Sequence, residues 1–202
     1  MRTSNILAIN GAYRSGGATD QALLAAAESL REAGVKIRIV NLRDYPIEFC
    51  TNCRECAIEP GSEPGRCVIE DAMHELIGDI EAADALILAS PTNFGSVTAI
   101  FKRFMERLMP YAYWPWERPW PVLRKAGQAP RKALLISSSA APGWLGRWVF
   151  GSMRQLATTA KTLGAEPVGK LFTGHAARRM GRILTDKSID DAKRLARRLI
   201  AD

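Results

Sequence analysis

Four closely spaced cysteines are the residues in this sequence best suited to metal or redox chemistry. They are Cys50, Cys53, Cys56 and Cys67, in a chain of 202 residues. The C-x2-C-x2-C run at the start of the group can face three thiolates to one iron–sulfur cubane. Four thiolates also suit tetrahedral zinc, although the second C-x2-C pair typical of zinc sites is missing. Thiols active in disulfide exchange, and cysteines that bind no metal, are the other two interpretations.

A glycine-rich loop between an apolar run and an amphipathic stretch is suited to binding phosphate. Gly16 and Gly17 allow a ligand to approach backbone N–H groups at the start of a helix. Three side chains of the loop can donate hydrogen bonds to phosphate oxygens: Arg14, Ser15 and Thr19. The P-loop pattern fails because Ala18 stands where Ser or Thr is required, and the dinucleotide fingerprint fails at Tyr13. A mononucleotide phosphate is the remaining ligand class, with an ordinary strand–helix turn as the structural alternative.

Five short β-rich runs alternate with amphipathic stretches, and these elements must position the loops. The runs predicted as strands are residues 6–10, 35–42, 85–89, 133–138 and 167–172. Such alternation predicts a parallel sheet with helices on both faces. Ligands of these sheets bind beyond the carboxyl ends of the strands. Three loops have that position: 11–19, 90–96 and 138–143.

Two helix starts are predicted from side chains that can accept a hydrogen bond from a backbone N–H group. Thr19 or Asp20 is predicted as the N-cap of the first helix, which Gly34 ends. Asp71 is predicted as the N-cap of the helix that follows the cysteines. Both helices begin directly after a loop that carries candidate functional residues.

Three stretches, residues 10–19, 90–96 and 101–107, resemble the flavodoxin-like, NAD(P)H-dependent FMN reductase family. The first loop of that family typically reads Gly-Ser-Pro-Arg, a short spacer and Asn-Thr, which Arg14 and Thr19 match. Three positions differ from the family's Ser, Pro and Asn: Ala12, Tyr13 and Ala18. The resemblance covers residues 5–175. It implies an α/β fold, a flavodoxin-like doubly wound five-stranded parallel sheet of order 2-1-3-4-5 with helices on both faces.

The resemblance implies an oxidoreductase with FMN as cofactor and NAD(P)H as co-substrate. The residues expected to hold the phosphate are Tyr13, Arg14, Ser15, Gly16, Gly17, Ala18 and Thr19. The residues expected to hold the isoalloxazine ring, through main-chain amides, are Pro91, Thr92, Asn93, Phe94, Gly95 and Ser96. No catalytic side chain is assigned, because the flavin itself carries the hydride and electron chemistry.

The cysteines, taken with the FMN loops, are similar to those of the iron–sulfur flavoproteins. In those proteins four cysteines carry a four-iron, four-sulfur (4Fe-4S) cluster beside FMN. The resemblance therefore implies four cluster ligands here: Cys50, Cys53, Cys56 and Cys67. The gap before the fourth cysteine is longer than theirs, and Pro60, Gly61, Pro64 and Gly65 make it an excursion that can bring Cys67 back. With a cluster present, single electrons would pass between it and the flavin.

Two other functions remain open, and each has a distinct partner class. The first is a cluster-free NAD(P)H-dependent FMN or quinone reductase. The second is a non-catalytic regulator with a zinc-stapled cysteine loop and a basic nucleic-acid face, which the net charge of +7 would suit. No recognisable nucleic-acid module is present, so no nucleic-acid partner is expected. The expected partners are a nicotinamide nucleotide or an electron-transfer protein, a small acceptor such as a quinone, and further copies of the chain in a homo-dimer or tetramer.

We interpret residues 1–202 as a single flavodoxin-like FMN-binding domain with two added segments. These are the cysteine loop, residues 50–67, and a Trp- and Pro-rich insertion, residues 110–130. Aromatic rings of the insertion can stack on a flavin or quinone, lie at a membrane surface, cover the sheet edge or form a dimer contact. No run approaches 18 apolar residues, so no membrane span is expected. The apolar run 6–9 is too short for a signal peptide, which favours a cytoplasmic location.

Overall fold

A parallel five-stranded sheet organises the fold. The computed structural model describes residues 5–176 and 184–201, apart from the side chains of residues 147 and 148. In this part of the chain the strands are Asn5–Asn10 (β1), Lys36–Asn41 (β2), Ala85–Pro91 (β3), Ala112–Tyr113 (β4), Val122–Leu123 (β5), Arg131–Ser138 (β6) and Ala165–Thr173 (β7). The parallel sheet has the order β2-β1-β3-β6-β7, and β4 and β5 form a separate antiparallel ribbon. Without the ribbon this is the order 2-1-3-4-5, so the predicted fold class is confirmed.

Helices cover both faces of the sheet. They are Ala18–Glu32 (α1), Met73–Ala82 (α2), Ala99–Glu106 (α3), Gly143–Val149 (α4), Ser152–Thr162 (α5) and Asp186–Arg197 (α6). Successive strand side chains point to opposite faces, so Ile6 and Ala8 pack in the core beneath α1 and α6. Leu7 and Ile9 pack in the other core, beneath α2, α3 and α5. No helix in the described ranges is both long enough and apolar enough to cross a membrane.

The strand boundaries lie within two residues of the predicted ones. Where a strand is longer than predicted, the extra residues pair with a neighbouring strand, and the residue types alone do not reveal this pairing. Strand β3 continues through Ser90 and Pro91, because these residues pair with Ser137 and Ser138 of β6. Proline is tolerated there because it is the last residue of the strand, where the lost N–H removes little of the ladder.

One of the two N-cap predictions is wrong and the other is confirmed. Helix α1 begins after Gly17 without a side-chain cap, and the side chains of Thr19 and Asp20 form hydrogen bonds to other parts of the fold, described below. At the start of α2, Asp71 Oδ1 accepts the backbone N–H of Met73 at 3.0 Å, as an N-cap does. Tertiary contacts therefore took precedence over local capping only at the start of α1.

Candidate functional site

A pocket opens at the carboxyl ends of β1, β3 and β6. Its cavity volume is about 220 Å³. Its lining is Ala12, Tyr13, Arg14, Gly17, Ala18, Thr19, Pro91, Thr92, Asn93, Ser138, Ser139, Ala140 and Ala176. Two loops far apart in the sequence therefore meet at one pocket, where this sheet topology places ligands.

The lining contains most but not all of the residues predicted to bind FMN. Five of the predicted residues lie outside it: Ser15, Gly16, Phe94, Gly95 and Ser96. Ser138, Ser139 and Ala140 belong to the loop 138–143, which the sequence analysis placed beyond the carboxyl end of a predicted strand. Ala176, which follows β7, had no signal in the sequence. FMN binding by the lining residues stays a prediction.

The buried carboxylate of Asp20 fixes the first loop. Its Oδ1 accepts a hydrogen bond from Asn10 Nδ2 at 2.8 Å, and its Oδ2 accepts one from the backbone N–H of Gly16 at 2.8 Å. Asn10 Oδ1 accepts the N–H of Ala12 at 3.0 Å. Gly16 has a φ of +71°, a conformation that glycine adopts without steric cost. Asn10 and Asp20 thus hold the loop in a defined shape from both ends.

Hydroxyl groups line the floor of the pocket between the two loops. Thr19 Oγ1 lies 2.8 Å from Ser138 Oγ and joins the start of α1 to the end of β6. Thr92 Oγ1 lies 2.7 Å from Ser152 Oγ and 3.3 Å from Ser137 Oγ. Each hydroxyl can donate and accept, so this floor can offer donors to an anion while its own groups stay paired.

The second loop is a tight turn closed by its own backbone. The N–H groups of Asn93 and Ser96 donate to each other's carbonyl oxygens at 2.9 and 3.0 Å. Phe94 and Gly95 between them have positive φ values of 48° and 76°. Gln155 Oε1 accepts from Ser96 Oγ at 2.8 Å and anchors the turn to α5. The Phe94 side chain is fully exposed, so its ring lies outside the pocket.

Thr98 connects the first loop to α3. Its buried Oγ1 donates to the carbonyl oxygen of Gly11 at 2.7 Å and accepts the N–H of Phe101 as the N-cap of α3. A Cβ on Gly11 would lie only 2.8 Å from the Cβ of Phe101. The first loop therefore starts with glycine because α3 packs directly against it.

The four cysteines line a second, smaller cavity. All are free thiols; Cys56 and Cys67 are buried, whereas Cys50 and Cys53 are half-buried. Burial, with the neighbouring thiols, raises the pKa of Cys56 to about 11. Among the described residues, no three His, Cys, Asp or Glu side chains lie close enough together to hold a single metal ion. The thiols thus share a cavity, and both the iron–sulfur and the zinc interpretations stay predictions.

Two residues in left-handed conformation curl the first cysteines around this cavity. Asn52 and Arg54 have φ values of 58° and 63° on either side of Cys53. The backbone N–H of Asn52 donates to Cys50 Sγ at 3.4 Å. A 3-10 turn at Glu55–Ala57 then carries Cys56. The C-x2-C-x2-C run therefore folds as a curl, as ligands of one centre would require.

Arg107 is a fully buried cation beside the cysteine cavity. Its Nη2 lies 3.6 Å from Cys67 Sγ, and its two Nη atoms bind the Asp71 carboxylate at 2.5 and 3.0 Å. Its Nε is buried with no hydrogen-bond partner among the described residues. Burial alone would raise the pKa of Asp71, but hydrogen bonds from Arg107 and from the N–H groups of Glu48 and Met73 hold that pKa below its usual value. Arg107 therefore stays charged within an otherwise enclosed site.

The strand order and the pocket define a flavodoxin-like protein. The chain belongs to the NADPH-dependent FMN reductase family, whose sequence profile matches residues 4–165. It is 36% identical over 107 residues to an iron–sulfur flavoprotein of Archaeoglobus fulgidus, which covers 53% of this chain and 46% of that protein. It is 31% identical over 105 residues to one of Methanocaldococcus jannaschii, covering 52% of each chain. The chain thus spans about half the length of these relatives.

Solved structures share the fold over nearly the whole chain. An FMN-dependent NADH-azoreductase from Bacillus anthracis, in complex with FMN, gives a TM-score of 0.68 at 16% identity and covers 98% of this chain and 100% of that one. An NAD(P)H:quinone oxidoreductase from Methanothermobacter marburgensis gives 0.62 at 21% identity, covering 97% and 94%. At these identities the similarity establishes the flavodoxin-like fold.

Proposed function

We propose that this protein is an FMN-dependent oxidoreductase that takes electrons from NAD(P)H or from a protein donor. The observation that carries the proposal is the meeting of the two predicted FMN loops at one pocket. Membership of the NADPH-dependent FMN reductase family supports it. When bound, FMN supplies the hydride and single-electron chemistry, while the protein binds and orients it.

The first loop would hold the phosphate of FMN. Arg14 brings a positive charge, Thr19 brings a hydroxyl, and the start of α1 offers backbone N–H groups in a favourable dipole field. Asp20 keeps Gly16 in place and so maintains the shape of the loop. The side chains thus bind and orient, and none has to move a proton.

The second loop and the end of β6 would hold the ring. Pro91, Thr92 and Asn93 form one wall of the pocket, and Ser139 and Ala140 contribute another. Because the turn is closed by its own backbone and by Gln155, the shape of this wall is fixed before the ring arrives. A rigid wall of this kind limits the positions from which a donor can approach the ring.

FMN titration of the full chain tests the binding proposal. Arg14→Ala should weaken FMN binding about 10- to 100-fold, because a hydrogen bond to a charged group contributes about 1.5–3 kcal/mol. Arg31→Ala is the matched control, since Arg31 lies in the last turn of α1, at the opposite end of that helix from the first loop. Equal affinity of the two variants would remove Arg14 from the site. A chain to which FMN does not bind at all would overturn the proposed function.

We further propose that the cysteine cavity holds a 4Fe-4S cluster. Four thiols and no carboxylate or histidine line the cavity, which is the donor set such clusters use. The buried Arg107 lines the same cavity, with its Nη2 3.6 Å from Cys67 Sγ, and adds a cation that favours an anionic occupant. Cys50, Cys53, Cys56 and Cys67 would be the ligands, and the cluster would supply single-electron transfer to or from FMN.

Iron, sulfide and zinc assays on protein purified without oxygen test the cluster. About four irons per chain with a broad visible absorption would support it. Flavin bands without iron would leave the cluster-free FMN or quinone reductase. Bound zinc in a colourless chain would favour the regulator instead. Cys56→Ser should lose iron and keep FMN, which separates the two sites.

The names of relatives and neighbours suggest the reaction partners. A quinone oxidoreductase and an azoreductase share the fold, so we propose small quinone or azo acceptors for the reduced flavin. Steady-state oxidation of NADPH and NADH, with FMN present and one acceptor at a time, would identify the pair. Absence of turnover with both nucleotides would favour a protein donor.

A homo-oligomer is proposed for the assembled protein, with residues 1–202 as one folding unit. Large apolar side chains are exposed on the second loop and on α4: Phe94 is fully exposed, Trp144 is 71% exposed and Val149 is 64% exposed. Exposed apolar side chains of this size are typical of a contact surface when they form a patch. Light scattering of the full chain should give a dimer or tetramer, and a monomer would contradict the proposal.

A further inference from the structure

The Trp- and Pro-rich insertion contacts the cysteine loop rather than the FMN pocket. We call residues 110–124 the clamp segment; none of them lines the pocket beneath the FMN loops. We propose that the clamp segment positions the cysteine loop and closes its cavity, by holding the Arg54 guanidinium against the rings of Trp114 and Trp116. This positioning role needs neither bound FMN nor a bound cluster.

The guanidinium of Arg54 stacks on the rings of both tryptophans. Its Cζ lies 3.6 Å from the ring centroid of Trp114 and 4.4 Å from that of Trp116. Cations over the face of tryptophan are the strongest contacts of this kind. Arg54 lies between Cys53 and Cys56, so the stack fastens the loop at the centre of the C-x2-C-x2-C run.

The stack also offsets an unfavourable backbone conformation. Arg54 has a φ of +63°. This left-handed conformation is energetically unfavourable for a residue that has a Cβ, whereas glycine adopts it readily. An arginine at this position is therefore explained by what its side chain contacts. Its neighbour Asn52 is also left-handed, but asparagine tolerates this conformation better.

Hydrogen bonds from one backbone N–H group and from the Arg124 side chain fasten the clamp segment. The N–H of Trp114 donates to the carbonyl oxygen of Ala57 at 2.7 Å. Buried Arg124 donates to three carbonyl oxygens: those of Pro110, Cys56 and Gly61, at 2.9, 3.3 and 3.2 Å. The clamp segment therefore replaces the secondary structure that the cysteine loop lacks.

The same segment anchors the return of the chain toward the fourth cysteine. The N–H of Gly65 donates to the carbonyl oxygen of Pro110 at 2.9 Å. A Cβ on Gly65 would lie 2.0 Å from the carbonyl oxygen of Cys56, so the excursion folds back with no room for a side chain. The long gap before Cys67 is thus compensated by an anchor outside the loop.

Without the clamp segment little would order the cysteine loop. Between residues 45 and 72, all within the described range, the 3-10 turn at Glu55–Ala57 is the only helical or strand element. Loops with few contacts open locally at low free-energy cost. Loss of the Arg54 stack should therefore expose Cys56, which is only 7% exposed in the closed loop.

Alkylation of Cys56 by iodoacetamide, followed by peptide mass spectrometry, measures this opening. On the iron-free full chain, Trp114→Ala should raise the rate on the order of tenfold, the population shift expected from losing a partly buried cation–π pair. Trp114→Phe keeps a ring and should react at close to the parent rate. Trp120→Ala is the matched control, because Trp120 is 71% exposed and lies outside the stack.

Variants of Arg54 separate the stack from the backbone conformation. Arg54→Gly favours the positive φ yet removes the stack, so Cys56 should still react faster; Arg54→Lys should lie between. These variants, with Trp116→Ala, also replace Trp114→Ala if that variant does not fold. Equal Cys56 rates in Arg54→Gly, Trp116→Ala and Trp120→Ala would overturn the proposal.

FMN binding, measured on the same variants, distinguishes this inference from the proposed function. We expect the FMN dissociation constant of each to match that of the parent chain, because no residue of the clamp segment lines the pocket. Failure of all chains to bind FMN would leave the clamp result intact. If the iron-loaded chain is obtained, transfer of iron to a chelator should be faster in Trp114→Ala than in Trp120→Ala.

Discussion

Arg107 and Asp71 form an ion pair in which neither side chain is substantially open to solvent, with exposures of 0% and 8%. Asp71→Asn would leave the Arg107 charge buried without its counter-charge. We expect the free energy of unfolding to fall by about 3–5 kcal/mol, as for other buried pairs that lose one partner. Urea denaturation measures the difference.

A surface pair provides the control for this substitution. Arg66 and Glu70 form an ion pair at 2.8 Å, with both side chains largely exposed. Glu70→Gln should leave the denaturation midpoint almost unchanged, because water screens such pairs. If Asp71→Asn changed the free energy of unfolding no more than Glu70→Gln, the buried ion pair would not contribute to stability.

The Asp71–Arg107 pair also predicts a pH dependence of stability. The folded state holds the pKa of Asp71 below its ordinary value of 3.8, so the unfolded chain takes up the proton first. The contribution of Asp71 is therefore complete above about pH 5 and is lost as the pH falls through the folded pKa. Urea midpoints measured from pH 7 to pH 3 should differ between parent and Asp71→Asn at neutral pH and converge in acid. A constant difference down to pH 3 would contradict the assignment.

The sequence indicates which side chains can form hydrogen bonds at the first loop, but it does not indicate their partners. Thr19 and Asp20 were recognised as polar residues at a helix start, yet one bonds to β6 and the other to Asn10 and Gly16. Arg107 lies in a charged helical stretch that is typical of an exposed surface. Only the packing of α3 beside the cysteine loop turns its side chain inward, and nothing local to the sequence encodes that contact.

At the scale of elements, the junction between the first loop and α3 depends on one hydroxyl. Thr98→Ala would remove the N-cap of α3 and the donor to the carbonyl oxygen of Gly11. We expect a loss of about 1–2 kcal/mol of stability, the usual effect of losing an N-cap, and weaker FMN binding because the loop is less constrained. Thermal denaturation and FMN titration measure the two effects. Thr98→Ser retains the hydroxyl and should behave as the parent; equal loss in both variants would point to the methyl group instead.

The sheet elements were predicted more closely than the irregular ones for a physical reason. Continuous apolar runs such as 85–89 are buried on both faces, so their pattern alone specifies a central strand. The β4–β5 ribbon and α4 have no such pattern. Their structure depends on contacts with other parts of the fold, which the local sequence does not show. The insertion was correctly expected to be irregular, but its contact with the cysteine loop requires the folded chain.

At the scale of the whole molecule, a ligand that binds only the folded chain must raise its stability. FMN at 100 times its dissociation constant should add about 2.7 kcal/mol to the free energy of unfolding. Riboflavin, which lacks the phosphate, should raise Tm less at the same concentration, because the first loop would have nothing to bind. Differential scanning calorimetry distinguishes the two. Equal shifts in Tm would indicate that the loop around Arg14 holds no phosphate.

The site was predictable as loops at one edge of the sheet, but its full lining was not. The alternation of strands and helices predicts a parallel sheet, and the family resemblance implies the strand order that brings the ends of β1, β3 and β6 together. Ser138 and Ser139 were indicated only by their position in the loop after a predicted strand. Ala176 and Arg107 needed the three-dimensional structure, since neither residue belongs to a spacing that implies a ligand.

The contact between the clamp segment and the cysteine loop has an evolutionary consequence. The two segments lie far apart in the sequence, yet Arg54, Trp114 and Gly65 have a use only when both are present. We expect them to be gained and lost together: a relative with a shorter cysteine spacing should do without the tryptophan pair. The chain would then have acquired two insertions as one inherited unit, with selection acting on their contact and not on either alone.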